Sequence, residues 1–512
     1  MVPQRVLAGR VAPLGLALAA GAALPLAFAP FDWWWLAPLC LAVLFAIGAG
    51  AGAVTAARAG YLFGLGFYGV GVSWVYISIG RYGQSGPVLA VLLTALFVAA
   101  LALFPWLSVK LARRLRRGTG FIALAVAFPA VWVLLEWVRT WLFTGFPWLL
   151  LGYSQTDGPL APLAPVTGVL GLSLALSVLA GVLAWLAMTP RPRRSLAALA
   201  VVVVMLLGLR LLDRDWTAPA GPALSAVLVQ GNVPQELKWS PDFQQTTLDR
   251  YRELTEPHWG VDLVVWPEAA VPNWYHRLAH DYLEPLAERG LAHGSELVLG
   301  VPFFDLQSAK AYNSVVSLGA EPGIYHKRHL VPFGEYLPLR SVFGRAFDIL
   351  GAPMSDFDAG TVAAPLHAAG YPIGTTVCYE VAFGPEVAAV LPAAQLLINV
   401  SNDAWFGDSL APHQHLQMAR MRALETGRDL LRATNTGITA LIDHKGRIVA
   451  RAPQFETTTL TVEATPRQGA TPYVRWLDYP VLGLLTAALL GLLITGRLRR
   501  ESAPESRPSS PS

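Results

Sequence analysis

Hydrophobic positions run almost unbroken from the start of the chain to about residue 213 and then change character. Crossing a bilayer takes about 20 mostly apolar residues. Stretches of that kind fall near 8–28, 33–51, 59–79, 86–109, 121–138, 163–188 and 195–212, with an eighth near 479–496. Over 221–470, by contrast, charges, prolines and short apolar runs mix as they do in a water-soluble domain. The pattern predicts a seven-helix transmembrane domain over 1–215, an external domain over 221–470, a closing transmembrane helix at 479–496 and a disordered Ser/Pro-rich tail over 501–512. Arg5, Arg10 and the small-residue stretch "AFA" at Ala27 to Ala29 also fit a signal peptide. The apolar run exceeds the roughly 7–15 residues of such a peptide, so a retained helix is expected.

Inside the external domain the period shortens. "LSAVLVQGN", "VDLVVWPE", "SELVLGVPFF", "NSVVSLG", "YPIGTTVCYE" and "AQLLINVSND" are short, β-rich runs bounded by Gly, Pro and Asn, and they read as strands. Helical stretches stand around 243–256, 278–292 and 413–429. "GITALIDH" and "GRIVARA" form a pair turning at Lys445 and Gly446. Strands alternating with helices predict a layered α/β domain.

Composition adds a solvent and a direction. Hydrophobic residues make up 54% of the chain and charged residues 14%, against roughly 25% charged in soluble domains, so the chain is expected to live in a membrane. Its basic residues flank the apolar runs: Arg5 and Arg10 before the first, Arg58, the cluster Lys110 to Arg117, Arg191 to Arg194, and Arg497 to Arg500 after the last. Positive short loops stay in the cytoplasm, which places both termini there and the 221–470 domain outside. The net charge of +4 is thus a topology signal, and nucleic-acid binding finds no support. The two cysteines, Cys40 and Cys378, lie in an apolar run and in the external domain, so no disulfide is expected and the unpaired Cys378 needs a reason.

Three reactive groups sit where runs end. Glu268 closes "VDLVVWPE", Lys327 lies in "GIYHKRHLVPFGEYLP", and Cys378 closes "YPIGTTVCYE". Taken singly, each has a bland reading: a turn carboxylate, a surface amine, a small core residue. Taken together they suit nucleophilic acyl chemistry. A thiol with pKa about 8.5 is mostly protonated near neutrality and needs a base, the part Glu268 fits. The oxyanion formed by attack needs donors worth about 3–4 kcal/mol each, and Lys327 with a backbone N–H near Tyr379 fits that part. "HQH" at His413 to His415 invites a metal, but positions i and i+2 of a helix do not share a face. No phosphate-cradling loop or cofactor motif appears, and acyl transfer needs none.

The Glu, Lys and Cys strings resemble the nitrilase superfamily in type and chain order. The chain as a whole resembles its membrane-embedded branch, the bacterial apolipoprotein N-acyltransferase family. Carrying that resemblance are "FPWLLLGYSQ", "VQGNVPQELKW", "WPEAAVP", "YHKRHLVPFGEYLP", "VCYE", "SNDAWFG" and "RATNTGIT". It implies about eight transmembrane helices with an external αββα sandwich, in the cytoplasmic (inner) membrane of a bacterium. It also implies transfer of a fatty acyl chain from a phospholipid, phosphatidylethanolamine being the expected donor, to the N-terminal α-amino group of a diacylated apolipoprotein. Cys378 would be the nucleophile, Glu268 the base and Lys327 the oxyanion stabiliser, with a thioester on Cys378 between two ping-pong steps. Glu335 and Glu380 match further functional positions, with a surface ion pair as the other reading. Tyr379 fits a residue that fixes the nucleophile loop and Trp239 matches an aromatic near the acyl or lipoprotein site, with ordinary aromatic packing as the other reading. The segment 143–156 with Trp148 fits an interfacial aromatic belt, to which the resemblance adds a loop guiding lipids toward the thiol. Two other readings stand beside this one. An anchored amidase would use the same three residues with water. A transporter or scaffold would need charges along an intramembrane path, where Glu136 and Arg139 are the main ones and could instead pair with each other.

Overall fold

The computed structural model describes residues 11–83, 86–189, 192–336 and 356–501. The tail beyond 501, the first residues of the first apolar run and most of the 340–365 stretch, whose apolar and Gly residues fit a lid and an ordinary loop equally, lie outside the described residues.

Helices occupy every stretch expected to span the membrane, but not as eight full spans. Gly86–Leu115, Ala161–Met188 and Tyr479–Arg497 are long and apolar enough to cross. A fourth span results if Ala53–Gly71 and Val75–Arg81, bent by 62° at a short break, count as one. Others are shorter: Leu36–Gly50 has 15 residues, about 22 Å at 1.5 Å per residue, against a hydrocarbon core of about 30 Å. Hydropathy windows ran through the turn at "FDWWW" and through breaks that the backbone uses for loops. The basic cluster from Lys110 to Arg114 continues the helix Leu103–Leu115 rather than following it.

The 221–470 domain is two six-stranded sheets face to face with helices outside. One sheet runs, in spatial order, Thr458–Ala464, Leu224–Gln230, Leu263–Val265, Glu296–Asp305, Lys310–Leu318 and Gly323–His326. The other runs Ile448–Arg451, Ala440–Ile442, Leu430–Thr434, Leu396–Ser401, Tyr371–Val377 and Leu366–Ala368. Side-chain alternation with period two sorts each strand between two cores. Leu224, Ala226 and Leu228 face the space between the sheets with Leu263, Val265, Ile373, Val377, Ile398 and Val400. Val227, Val229 and Val264 face the outer helices Pro241–Thr255 and Glu284–Ala292 through Leu248, Tyr251 and Leu286. Ala218–Pro219 and Arg467–Gln468 pair antiparallel and tie the two ends of the sandwich together.

Helix Ala411–Thr426 covers the second sheet and is buried on nearly every face. Leu416, Ala419 and Ala423 pack on the sheet side. Met418, Met421 and Leu424 join the core of the membrane helices, as do Ala382 and Phe383 shortly after the strand Tyr371–Val377. Two of its buried charges pair, Arg422 with Glu425 at 3.1 Å, and Glu425 Oε1 accepts from the backbone N–H of Val169 at 2.7 Å. That N–H is free because Gly168, at φ +66°, breaks the helical repeat. A side chain at Gly168 would collide with the Tyr473 ring, so the break and the docking of the domain share one residue.

Candidate active site

Glu268, Lys327 and Cys378 each follow the last residue of a strand or stand within three residues of it. Cys378 comes directly after Tyr371–Val377, Lys327 directly after Gly323–His326, and Glu268 after Leu263–Val265 and the Trp266–Pro267 step. The first belongs to one sheet and the other two to the other, so the sandwich closes the set across its open edge.

The groups meet as one buried polar cluster. Lys327 Nζ lies 2.8 Å from Glu335 Oε2 and 3.8 Å from Glu268 Oε1. Asn313 Nδ2 donates to Glu268 Oε1 at 2.8 Å and to Glu335 Oε1 at 2.9 Å, and the backbone N–H of Asn402 donates to Glu268 Oε2 at 2.8 Å. Burial alone would lower the Lys327 pKa, but Glu335, then Glu268 and Cys378, carry it well above the ordinary lysine value. Lys327 is therefore a fixed cation. Cys378 goes the other way: burial first, then the Glu268 carboxylate, push its thiol pKa up, with Lys327 opposing. The thiol stays protonated near neutrality, which also shields it from oxidation, since the thiolate is the reactive form.

Cys378 has φ +52°, a conformation that costs a non-glycine residue about 1–3 kcal/mol and persists where surroundings over-determine it. They do so here. Glu380 Oε2 accepts the Val377 N–H at 2.7 Å, while its Oε1 takes Tyr325 Oη at 2.9 Å and the N–H groups of Arg328 and His329. On the far side His415 Nε2 donates to the Cys378 carbonyl at 3.1 Å. Asp403 Oδ1 and an Arg432 nitrogen both reach His415 Nδ1 at 3.0 Å, and Arg432 bonds Asp403 Oδ2 at 2.8 Å. Arg432 also bonds Asn399, whose amide points at the Cys378 carbonyl. One histidine of "HQH" thus holds the backbone at Cys378.

Its neighbour Gln414 reaches the membrane part. Gln414 Oε1 accepts from Trp148 Nε1 at 2.6 Å, and its Nε2 donates at 3.1 Å to the Gly71 carbonyl, at the break in the bent helix pair. Trp148, 1% exposed, stacks with Tyr379 and Phe146 and tilts against Trp74 and His415. Tyr379 Oη donates to the Gly145 carbonyl at 3.0 Å, so the residue after Cys378 is hydrogen-bonded to the segment 143–156. Glu136 and Arg139 serve that segment rather than each other: Arg139 bonds the carbonyls of Phe146 and Trp148, and Glu136 accepts from Leu151 N–H at 2.9 Å and Trp132 Nε1 at 3.1 Å. They form no ion pair with each other among the described residues, and an intramembrane path is not what they build. Trp239, next to Lys238, is half exposed at 50%.

Sequence reasoning missed Asn313, Asn402, Asp403, His415, Arg432 and Lys238. Asp403, Asn402 and Arg432 stood inside "SNDAWFG" and "RATNTGIT", and Lys238 beside Trp239 in "VQGNVPQELKW", so the signal was polar residues within apolar surroundings. Gly300 was missed too. A Cβ there would lie 2.6 Å from the Pro267 carbonyl oxygen and 2.7 Å from Glu268 Cα. Gly300→Ala is expected to displace Glu268 and, as misplacements near 1 Å cost about 10²-fold, to slow Cys378 acylation by that order; single-turnover mass spectrometry of the acyl-enzyme checks it.

The fold and this cluster define a carbon–nitrogen hydrolase domain joined to a helical membrane part. Family models say the same: the apolipoprotein N-acyltransferase N-terminal domain matches residues 20–182 and the carbon-nitrogen hydrolase family matches 227–473. The chain is 50% identical to an apolipoprotein N-acyltransferase of Methylococcus capsulatus, covering 97% of this chain and 98% of that one. It is 48% identical to the one of Azotobacter vinelandii, covering 96% of each. Among solved structures, a CN-hydrolase superfamily protein of Xanthomonas campestris aligns at 19% identity over 48% of this chain and 91% of that one, with a TM-score of 0.36. The chain belongs to the apolipoprotein N-acyltransferase family.

Proposed function

We propose that Cys378 carries the acyl group of a two-step transfer from a phospholipid to the N-terminal α-amino group of a diacylated apolipoprotein. Membership of the family makes the chain an N-acyltransferase of the inner membrane with lipid and lipoprotein substrates. The finer reading assigns phosphatidylethanolamine as donor, both termini to the cytoplasm, the 221–470 domain to the outer side, and eight spans, with the shorter helices completing the bilayer crossing by packing on the longer ones.

The observation that carries the mechanism is the Lys327 ammonium held between Glu335 at 2.8 Å and Glu268 at 3.8 Å, in a cluster whose Glu268 charge raises and whose Lys327 charge lowers the pKa of the buried Cys378 thiol. Glu268 takes the proton of Cys378 as sulfur attacks the ester carbonyl. Lys327 and the N–H near Tyr379 receive the oxyanion. The tetrahedral adduct collapses to a thioester, and Glu268 returns the proton to the leaving lysophospholipid alcohol. The acceptor amine then attacks the thioester and loses its proton to Glu268, which passes it to the departing thiolate as the C–S bond breaks, restoring the thiol and the carboxylate. Glu335 and Asn313 keep Lys327 and Glu268 apart and aimed, and Glu380 and Tyr379 hold the nucleophile turn. Trp148, buried against Tyr379 and His415, couples the membrane part to the turn that carries Cys378; Trp239, half exposed, fits a contact with lipid or lipoprotein.

Incubating the detergent-purified protein with phosphatidylethanolamine is expected to add one fatty acyl mass. The adduct should be absent in Cys378→Ala and should disappear on adding a diacylated lipopeptide. An adduct lost to water at the same rate with and without lipopeptide would point to the anchored amidase.

A further inference from the structure

A second lysine is buried at this site and is held quite differently from the first. Lys238 is 3% exposed, and its Nζ donates to the main-chain carbonyl of Glu268 at 3.0 Å. Whereas Lys327 lies within 4 Å of two carboxylates, Lys238 forms no ion pair among the described residues. A buried cation without a carboxylate partner is expensive, and Lys238 accordingly has its pKa pushed down to about 8 by burial, with Glu268 and Cys378 pulling it back up. The fold keeps an incompletely compensated positive charge beside the base.

The surrounding charges indicate what that cation does. Around the thiol stand Glu268 and Glu335 against Lys327, which leaves one negative charge over. Glu380 is enclosed by the donors of Tyr325, Arg328, His329 and Val377, and burial pushes its carboxyl pKa up. Asp403 is closed off with Arg432 and His415 behind the Cys378 carbonyl. Without Lys238, the excess carboxylate charge would favour an amine entering as its ammonium, which cannot attack a thioester.

We propose that Lys238 is the charge-setting residue for the acceptor half of the reaction: its ammonium offsets the excess carboxylate charge beside Glu268, so that the incoming α-amino group is held as the free base. This rests on the reading of Cys378 as an acyl carrier. The proton involved leaves the acceptor's ammonium for solvent on entry, and the second amine proton goes to Glu268 as the C–N bond forms and on to the Cys378 thiolate as the C–S bond breaks. A neighbouring cation lowers an amine's pKa from its ordinary 7.7–8.0, which increases the reactive fraction at neutral pH; a site that loses this cation holds the amine protonated to higher pH.

The test starts from acyl-enzyme already formed on the full chain in detergent, so failure to form it bears on the acyl-carrier reading and not on Lys238. Thioester loss to a diacylated lipopeptide is followed by intact mass from pH 6 to 9 in wild type, Lys238→Met and Lys238→Arg. The methionine variant is expected to show its pH profile moved up by about one unit, hence about tenfold slower transfer at pH 7. The arginine variant, which keeps the charge, should retain the wild-type rate at pH 7. Hydroxylamine, a free base over most of this range, should discharge the thioester of all three at similar rates. A methionine profile that overlays wild type, or an equal slowing toward lipopeptide and hydroxylamine at every pH, would overturn the proposal.

Discussion

Replacing Glu268 with glutamine is expected to slow acylation of Cys378 by roughly 10²–10⁴-fold, the range in which a positioned general base contributes. Two features make the effect large. The thiol pKa is raised by burial and by Glu268 itself, so no standing pool of thiolate can bypass the base. The carboxylate also fits its donors fully: Asn313 on one oxygen, the Asn402 N–H on the other, Lys327 alongside. A glutamine amide has one accepting oxygen, so whichever way it turns, an NH₂ faces a donor and a buried hydrogen bond is lost, worth about 1–3 kcal/mol. Acyl-enzyme formation from phosphatidylethanolamine, timed by intact mass at pH 7 and again above pH 8.5, separates the two contributions. A lost base should be partly bypassed at high pH as thiolate forms unaided, whereas a distorted site should stay slow. An unchanged rate at pH 7 would remove Glu268 from the base role.

The parts of this molecule that were legible beforehand are those governed by periodicity or by rare chemistry in fixed order. Strands such as Leu224–Gln230 and Leu396–Ser401 were readable because alternate residues serve two different cores. Glu268, Lys327 and Cys378 were readable because a carboxylate, an amine and a thiol at run ends are unusual together. Hydropathy, however, measures solvent preference and not helix length, so it ran 33–51 through the turn that precedes Leu36–Gly50, and 59–79 through the break after Gly71 that Gln414 satisfies. Buried polar residues carry no period at all. Lys238, Asn313 and Asp403 look like surface residues until partners more than 20 positions away close on them, as Glu268 does on Lys238 and Arg432 on Asp403. Glu136 and Arg139 illustrate the same limit: the sequence suggests a pair, and the fold spends both on the backbone of one loop.

The second large effect belongs to that hidden layer. Arg432→Met removes the partner of Asp403 inside the domain, where both side chains are fully enclosed, and stranding a buried charge costs about 3–5 kcal/mol. Burial by itself would raise the Asp403 pKa, but Arg432 and then His415 hold it well below the ordinary 3.8. The sign follows from that direction. A carboxylate with a depressed folded pKa contributes stability that is fully present above its unfolded value and is lost as pH falls through the folded one. The wild type should therefore keep this contribution down to about pH 4, while Arg432→Met should have a much lower Tm at pH 7 and regain part of the difference on acidification, as Asp403 becomes neutral. Asp403→Asn added to Arg432→Met should recover stability at pH 7 for the same reason. Because His415 depends on both residues and in turn holds the Cys378 carbonyl, the double variant should regain its Tm ahead of its acylation rate. Thermal unfolding in detergent at pH 5 and pH 7, beside acyl-enzyme formation, reads both. Recovery of Tm and rate together would mean that the cluster only supports the fold and that the strained turn at Cys378 needs no clamp.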